Sequence, residues 1–176
     1  MVMDFMATPP WWALNRYGQC QYVLGSGTDS LNAFERALPI SPTKKEKGAT
    51  LNNISQIHDA RGDYETALTF LEQSLKIQRE IGDRAGMIPT LHNMAHIALQ
   101  AKDPQKAVEA WSEALDLAMK TQNAMGLFHV AKDFGGLMAQ AGNTDAAKQL
   151  LTLAVQAGKA AGFPGVDKIE ERLKSL

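Results

Sequence analysis

The sequence has little of what marks a secreted, membrane-bound or nucleic-acid-binding protein. Its one cysteine, Cys20, excludes an internal disulfide framework and is typical of a reducing compartment. The 18 basic and 19 acidic residues nearly cancel, and no basic stripe favours nucleic acid or an anionic membrane as a partner. No apolar run approaches the roughly 18 residues of a membrane span, and residues 1–10 lack the pattern of a signal peptide. The sequence therefore predicts a soluble, cytoplasmic protein.

Motifs of catalysis are absent as well. The sequence has no phosphate-binding glycine loop, no Gly-x-Ser-x-Gly and no recognisable nucleophile–base pair. Gly135-Gly136 lies within a predicted helix, where it favours close approach of a neighbouring helix or a ligand. These observations predict a protein that is not an enzyme and that needs no cofactor.

What the sequence does contain is a repeat with a period of forty residues. Three slots of the period hold residues of one kind in three successive copies: Ala67, Ala107 and Ala147; Asp63, Asp103 and Asn143; Leu71, Trp111 and Leu151. A period of this size is the sequence mark of a stacked helical array, in which each unit buries its apolar face only against its neighbours. Such arrays usually serve as binding surfaces.

Each period is predicted to form a pair of antiparallel helices, because its apolar residues recur at helical spacing. Asp63, Asp103 and Asn143 are predicted to cap the second helix of their pairs, and Ser41-Pro42 indicates the start of another helix. We expect a single array over residues 11–176. Its predicted segments are a poorly ordered tail at 1–10, units at about 11–41, 42–83, 84–123 and 124–162, and a closing helix at about 165–176.

The first unit resembles the tetratricopeptide repeat of about 34 residues. The matching residues are Leu14, Tyr17-Gly18, Gly25, Phe34, Ala37-Leu38 and Pro42. Ser30 departs from the pattern, where a small alanine is usual. The later units resemble the variety of roughly 40 residues found in kinesin light chains, in scaffolds that regulate G-protein signalling and in bacterial peptide-sensing regulators. The resemblance implies an all-α fold, a right-handed α-solenoid of about four stacked helix pairs with a C-terminal capping helix.

Stacked helix pairs curve, and the first helix of each pair is expected to line the concave face. The polar residues that we expect in this groove are Asn15, Arg16, Gln19, Asn52, Asn53, Gln56, His92, Asn93, His96, His129, Lys132 and Asp133. The resemblance implies that asparagines here hold a peptide backbone, and Asn53 and Asn93 occupy matching slots. Two other interpretations stay open: the asparagines keep an exposed groove hydrated, or they bond neighbouring helices.

Four of these groups form a candidate metal cluster. His92 and His96 are four residues apart on one helix, and His129 and Asp133 are four apart on the next inner helix, so all four could coordinate zinc. The sequence has no His-Glu-x-x-His pattern, and stacked helices would hold the two pairs apart. We therefore predict no metal site, but a polar patch whose charge changes at about pH 6.

The remaining candidates are predicted to be structural. Trp111 occupies a core slot, Cys20 is predicted to be a buried small residue, and five methionines are predicted core fillers: Met87, Met94, Met119, Met125 and Met138. Trp11 and Trp12 either shield the first unit or anchor a second copy of the chain.

The sequence thus favours a scaffold that binds a segment of another protein in its groove. The alternatives are a sensor for a free peptide or small ligand, and a module that self-associates.

Overall fold

The computed structural model describes residues 9–176, so most of the predicted tail at residues 1–10 lies outside the described part. The α-helices of the described residues, in chain order, are α1 (Trp11–Val23), α2 (Gly27–Ala37), α3 (Lys44–Ala60), α4 (Tyr64–Ile81), α5 (Arg84–Gln100), α6 (Pro104–Lys120), α7 (Ala124–Gln140), α8 (Thr144–Ala161) and α9 (Val166–Lys174). Over residues 9–176 no strand is present. The prediction of an all-α helical-repeat solenoid is confirmed.

The helices pack as antiparallel pairs within two compact units, one ending at Asp83 and the other spanning Arg84–Leu176. In the first unit α1 packs on α2, α3 packs on α4, and α2 contacts α3. In the second unit α5 packs on α6 and α7 on α8, while α6 contacts α7 and α9 closes on α8. The predicted single array over residues 11–176 stays a prediction. Among the helices of residues 9–176, none combines the length and the apolar character that crossing a membrane requires.

The three predicted N-caps are confirmed. Each side-chain oxygen accepts the backbone N–H three residues further on: Asp63 from Thr66, Asp103 from Lys106, and Asn143 from Ala146. Asn123 caps α7 in the same way, with its Oδ1 2.8 Å from the nitrogen of Gly126. These caps satisfy backbone donors that a helix start would otherwise leave unpaired.

The predicted helix start at Ser41-Pro42 is wrong. A 3-10 turn, Leu38–Ile40, extends α2, and the Ser41 hydroxyl donates back to the carbonyl of Ala37 at 3.2 Å. The next helix, α3, instead begins at Lys44, where the Thr43 hydroxyl accepts the N–H of Glu46. Thr43 supplies the same capping chemistry two residues later.

The predicted core slot is confirmed, because Leu71, Trp111 and Leu151 are all almost completely buried. Gly135 lets α7 approach α8 closely, since a Cβ at this position would lie 3.0 Å from the Leu151 side chain. Close approach at this glycine pair was also predicted.

The methionine and cysteine predictions are partly wrong. Met87 and Met94 are buried, but Met119 and Met125 are 50% and 60% exposed. Both exposed methionines lie near the ends of their helices. Cys20 is exposed as well, because α1 buries only Leu14 and Gly18.

One turn of the second unit carries backbone strain that a substitution should relieve. Gly62, Lys102 and Gly142 share one slot of the period and have φ angles of 77°, 62° and 76°. A lysine in this left-handed conformation is strained, whereas glycine adopts it freely. We expect Lys102→Gly to raise the free energy of unfolding by about 0.5–1 kcal/mol in urea denaturation.

The reverse change is the matched control, and Gly142→Lys is expected to lower the free energy of unfolding by a similar amount. A change of stability in the same direction in both variants would contradict this account of the turn.

Candidate binding face

In the first unit the predicted asparagines bond to other helices. Asn53 Nδ2 donates to Asn15 Oδ1 at 3.1 Å, which links α3 to α1. Asn52 Nδ2 donates to Ser74 Oγ at 3.4 Å, so Asn52 faces α4, the second helix of its own pair. For Asn53 the geometry therefore matches the interpretation in which the asparagine bonds a neighbouring helix.

The N-terminal tryptophans have different environments. Trp11 Nε1 donates at 3.1 Å to the hydroxyl of Thr50, a residue that is fully buried on α3. Trp12 is 65% exposed. Both line a shallow cavity of about 420 Å³, whose other lining residues are Asn15, Arg16, Gln19 and Cys20. Three of the predicted groove residues therefore lie together at this end of α1.

In the second unit three predicted groove residues converge on one point. His96 Nε2 lies 3.1 Å from His92 Nε2 and 3.1 Å from Asp133 Oδ2. His92 Nε2 lies 3.3 Å from the same carboxylate oxygen. Lys132 Nζ is 3.3 Å from the other oxygen, Oδ1. Because α5 and α7 are in contact, two helices of successive pairs build this cluster.

The cluster keeps Asp133 ionised. Burial alone would raise the pKa of Asp133, but hydrogen bonds from His92 and His96, together with the charge of Lys132, hold the pKa well below its usual range. Asp133 is therefore a carboxylate at any pH near neutrality.

His129 does not join the other three groups. Its ring lies against Phe128, with ring centroids 5.1 Å apart, and near Phe163 at 6.4 Å. Burial and the nearby charge of Lys132 lower the pKa of His129, so its imidazole is neutral at pH 7. The structure thus unites three of the four candidate metal-cluster residues, so the expectation that stacked helices hold the two pairs apart is wrong for Asp133.

We call the side of α5 and α7 that carries this cluster the α5/α7 face, and we define it by His92, His96, His129, Lys132 and Asp133. Two cavities lie beside the cluster on this face. A cavity of about 360 Å³ is lined by Ala85, Ile88, Pro89, His92, Asn123, Met125, Gly126, His129 and Val130. A second, of about 290 Å³, is lined by His96, Leu99, Trp111, Lys132, Asp133, Gly136, Leu137, Gln140 and Arg172. Five of the predicted groove residues therefore surround cavities of the second unit.

Comparison with known proteins identifies the repeat. Residues 12–80 match the family model described as Tetratricopeptide repeat. Residues 12–80 therefore carry tetratricopeptide repeats. No curated protein matches the chain.

Several solved structures share the fold at low sequence identity. BtubC (BKLC) from P. vanneervenii is 17% identical, with 92% of this chain and 77% of that chain covered and a TM-score of 0.70. The apo form of RapI is 15% identical with a TM-score of 0.76, and the match covers 90% of this chain but 60% of RapI. The kinesin light chain-like repeats of Podosopora anserina are 15% identical, with 96% of both chains covered and a TM-score of 0.69. These likenesses show the fold alone.

The closing helix adds a residue that the sequence did not indicate. Arg172 Nη2 donates to the carbonyl oxygen of Gly136 at 3.2 Å and lines the 290 Å³ cavity. A Cβ at Gly136 would lie 3.1 Å from the guanidinium, so a side chain at this position would displace Arg172 by a few tenths of an ångström. Arg172 lies outside the forty-residue pattern, so no spacing pointed to it.

Proposed function

We propose that the chain is a non-enzymatic interaction module that binds a peptide segment of another protein on the α5/α7 face. Tetratricopeptide repeats generally mediate protein–protein interaction. The observation that carries the finer proposal is the 360 Å³ cavity of the second unit, which would receive a large apolar side chain of the peptide.

The lining of this cavity supports an apolar anchor. Ile88, Pro89 and Val130 are apolar, and Met125 is 60% exposed beside them. An exposed methionine is flexible and polarisable, so it can adapt to the side chain that covers it. A peptide that buries Met125 would remove this apolar surface from water.

The polar rim of the cavity supports recognition of a peptide backbone. His92 and His129 both line the cavity. The neutral imidazole of His129 offers one donor and one acceptor, which suits the alternating carbonyl and amide groups of an extended chain. Such partners are needed because a peptide group that loses water without a hydrogen bond weakens binding.

A random-peptide library selected on the intact protein tests the proposal. We expect enriched peptides with one large apolar residue, and we expect Met125→Glu to weaken their binding by about tenfold or more, because a charge would be buried at the anchor. Met119→Glu is the matched control, since Met119 is an exposed methionine of the same unit that does not line the cavity. It should leave the affinity unchanged.

Equal loss of binding in both methionine variants, or in neither, would contradict the α5/α7 face as the binding site. Failure to enrich any peptide, together with a mass that rises with protein concentration, would favour self-association through the exposed Trp12 instead.

A further inference from the structure

The cluster on the α5/α7 face has the geometry of a metal site. The three atoms His92 Nε2, His96 Nε2 and Asp133 Oδ2 form a triangle with sides of 3.1, 3.1 and 3.3 Å. A tetrahedral zinc ion with ligands at about 2.0–2.1 Å holds those ligands about 3.3 Å from one another. We propose that His92, His96 and Asp133 bind a divalent transition-metal ion such as Zn²⁺.

In the absence of a metal ion, protons occupy the triangle. The indole N–H of Trp111 donates to His92 Nδ1 at 3.2 Å, so the proton of a neutral His92 ring sits on Nε2. The Nε2–H groups of His92 and His96 can both donate to Asp133 Oδ2, at 3.3 and 3.1 Å. A cation bound to the three atoms would displace these protons, because each atom then donates a lone pair to the ion.

The ligand types favour a borderline metal. Two imidazole nitrogens and one carboxylate oxygen suit zinc and related transition metals, whereas magnesium and calcium prefer oxygen ligands alone. Lys132 pairs with Oδ1 of Asp133, which leaves Oδ2 for the ion. The 290 Å³ cavity opens beside His96 and Asp133 and has room for water as the fourth ligand.

Trp111 opposes metal binding. An ion on His92 Nε2 displaces the proton from that nitrogen, and a neutral ring then carries its proton on Nδ1. That proton would face the indole N–H, so the hydrogen bond from Trp111 to His92 must be lost. We therefore expect Trp111→Phe to bind zinc about two- to tenfold more tightly than the native chain, because phenylalanine has no N–H to leave unpaired.

Zinc titration at neutral pH, without peptide, tests the site by calorimetry and by competition with a chromophoric chelator. We expect saturable binding of one ion per chain. His96→Gln and Asp133→Asn should each weaken binding by at least about tenfold. Circular dichroism establishes that each variant is folded, and the His96 side chain is 46% exposed, so the variant can be compared with the native chain.

Two matched controls are available. His58 Nδ1 and Asp63 Oδ2 form a histidine–carboxylate pair at 3.1 Å that has no third ligand within residues 9–176, so His58→Gln should leave zinc affinity unchanged. His129→Gln should also leave it unchanged, because His129 lies outside the triangle.

Absence of saturable binding, or binding that Asp133→Asn does not weaken, would overturn the site. An affinity unaffected by Trp111→Phe would remove His92 from the ligand set and overturn the three-ligand assignment. Because no peptide is present, these results do not depend on the proposed peptide binding.

Discussion

Trp111→Ala is expected to lower the free energy of unfolding of the second unit by about 3–5 kcal/mol. Trp111 is 1% exposed and its ring lies 5.8 Å from the ring of Phe134. Alanine would leave a large cavity between α6 and its neighbours. The free energy of unfolding would lose the contribution from burying the ring away from water and the contribution from the contacts around the ring. His92 would also lose its indole donor.

Urea denaturation followed by circular dichroism, with EDTA present to exclude metal ions, measures this effect. The same substitution at the exposed Trp12 is the control and should change the free energy of unfolding by less than about 0.5 kcal/mol. A loss of less than about 1 kcal/mol in Trp111→Ala would contradict the stabilising role of the buried indole.

Removing the closing helix is expected to have the second large effect. Deletion of residues 164–176 should lower the free energy of unfolding by about 3 kcal/mol or more and should make the chain self-associate. Val166 and Ile169 are 7% and 6% exposed and pack with Phe128, Leu151 and Val155. Each buried aliphatic side chain contributes about 1.5–3 kcal/mol, and the deletion exposes its partners as well.

Two point variants separate the loss of the apolar contact from the loss of the chain segment. Ile169→Asp places a charge in the buried cluster and should reproduce most of the destabilisation. Lys168→Asp changes an exposed neighbour on the same helix and should cost less than about 0.5 kcal/mol. A truncated chain that stays monomeric and equally stable would contradict the capping role of α9.

The caps illustrate what could be predicted from the sequence. Asp63, Asp103 and Asn143 act on backbone groups three residues away, so the chemistry is local and the period shows it three times. The start of α3 was missed, although the rule for serine before proline is also local. There the chain continues α2 by a 3-10 turn, and the Ser41 hydroxyl bonds backwards to Ala37.

The candidate site was less predictable, because it depends on which side chains meet. Spacing placed His129 and Asp133 on one face of α7, yet the His129 ring packs with Phe128 and Phe163. Likewise the slot of Asn53 could be read from the period, but its bond to Asn15 depends on the distance between α1 and α3. Periodicity predicts which face of a helix a residue occupies, but it does not predict which residue that side chain contacts.

The measurement that tests the account most directly is a nuclear magnetic resonance titration of the isotope-labelled protein with a library-selected peptide. The account predicts that the amide shifts of α5 and α7 around His92, Met125 and His129 move together with peptide concentration, while those of α8 stay constant. Shifts confined to α6, α8 or the N-terminal end of α1 would contradict peptide binding on the α5/α7 face.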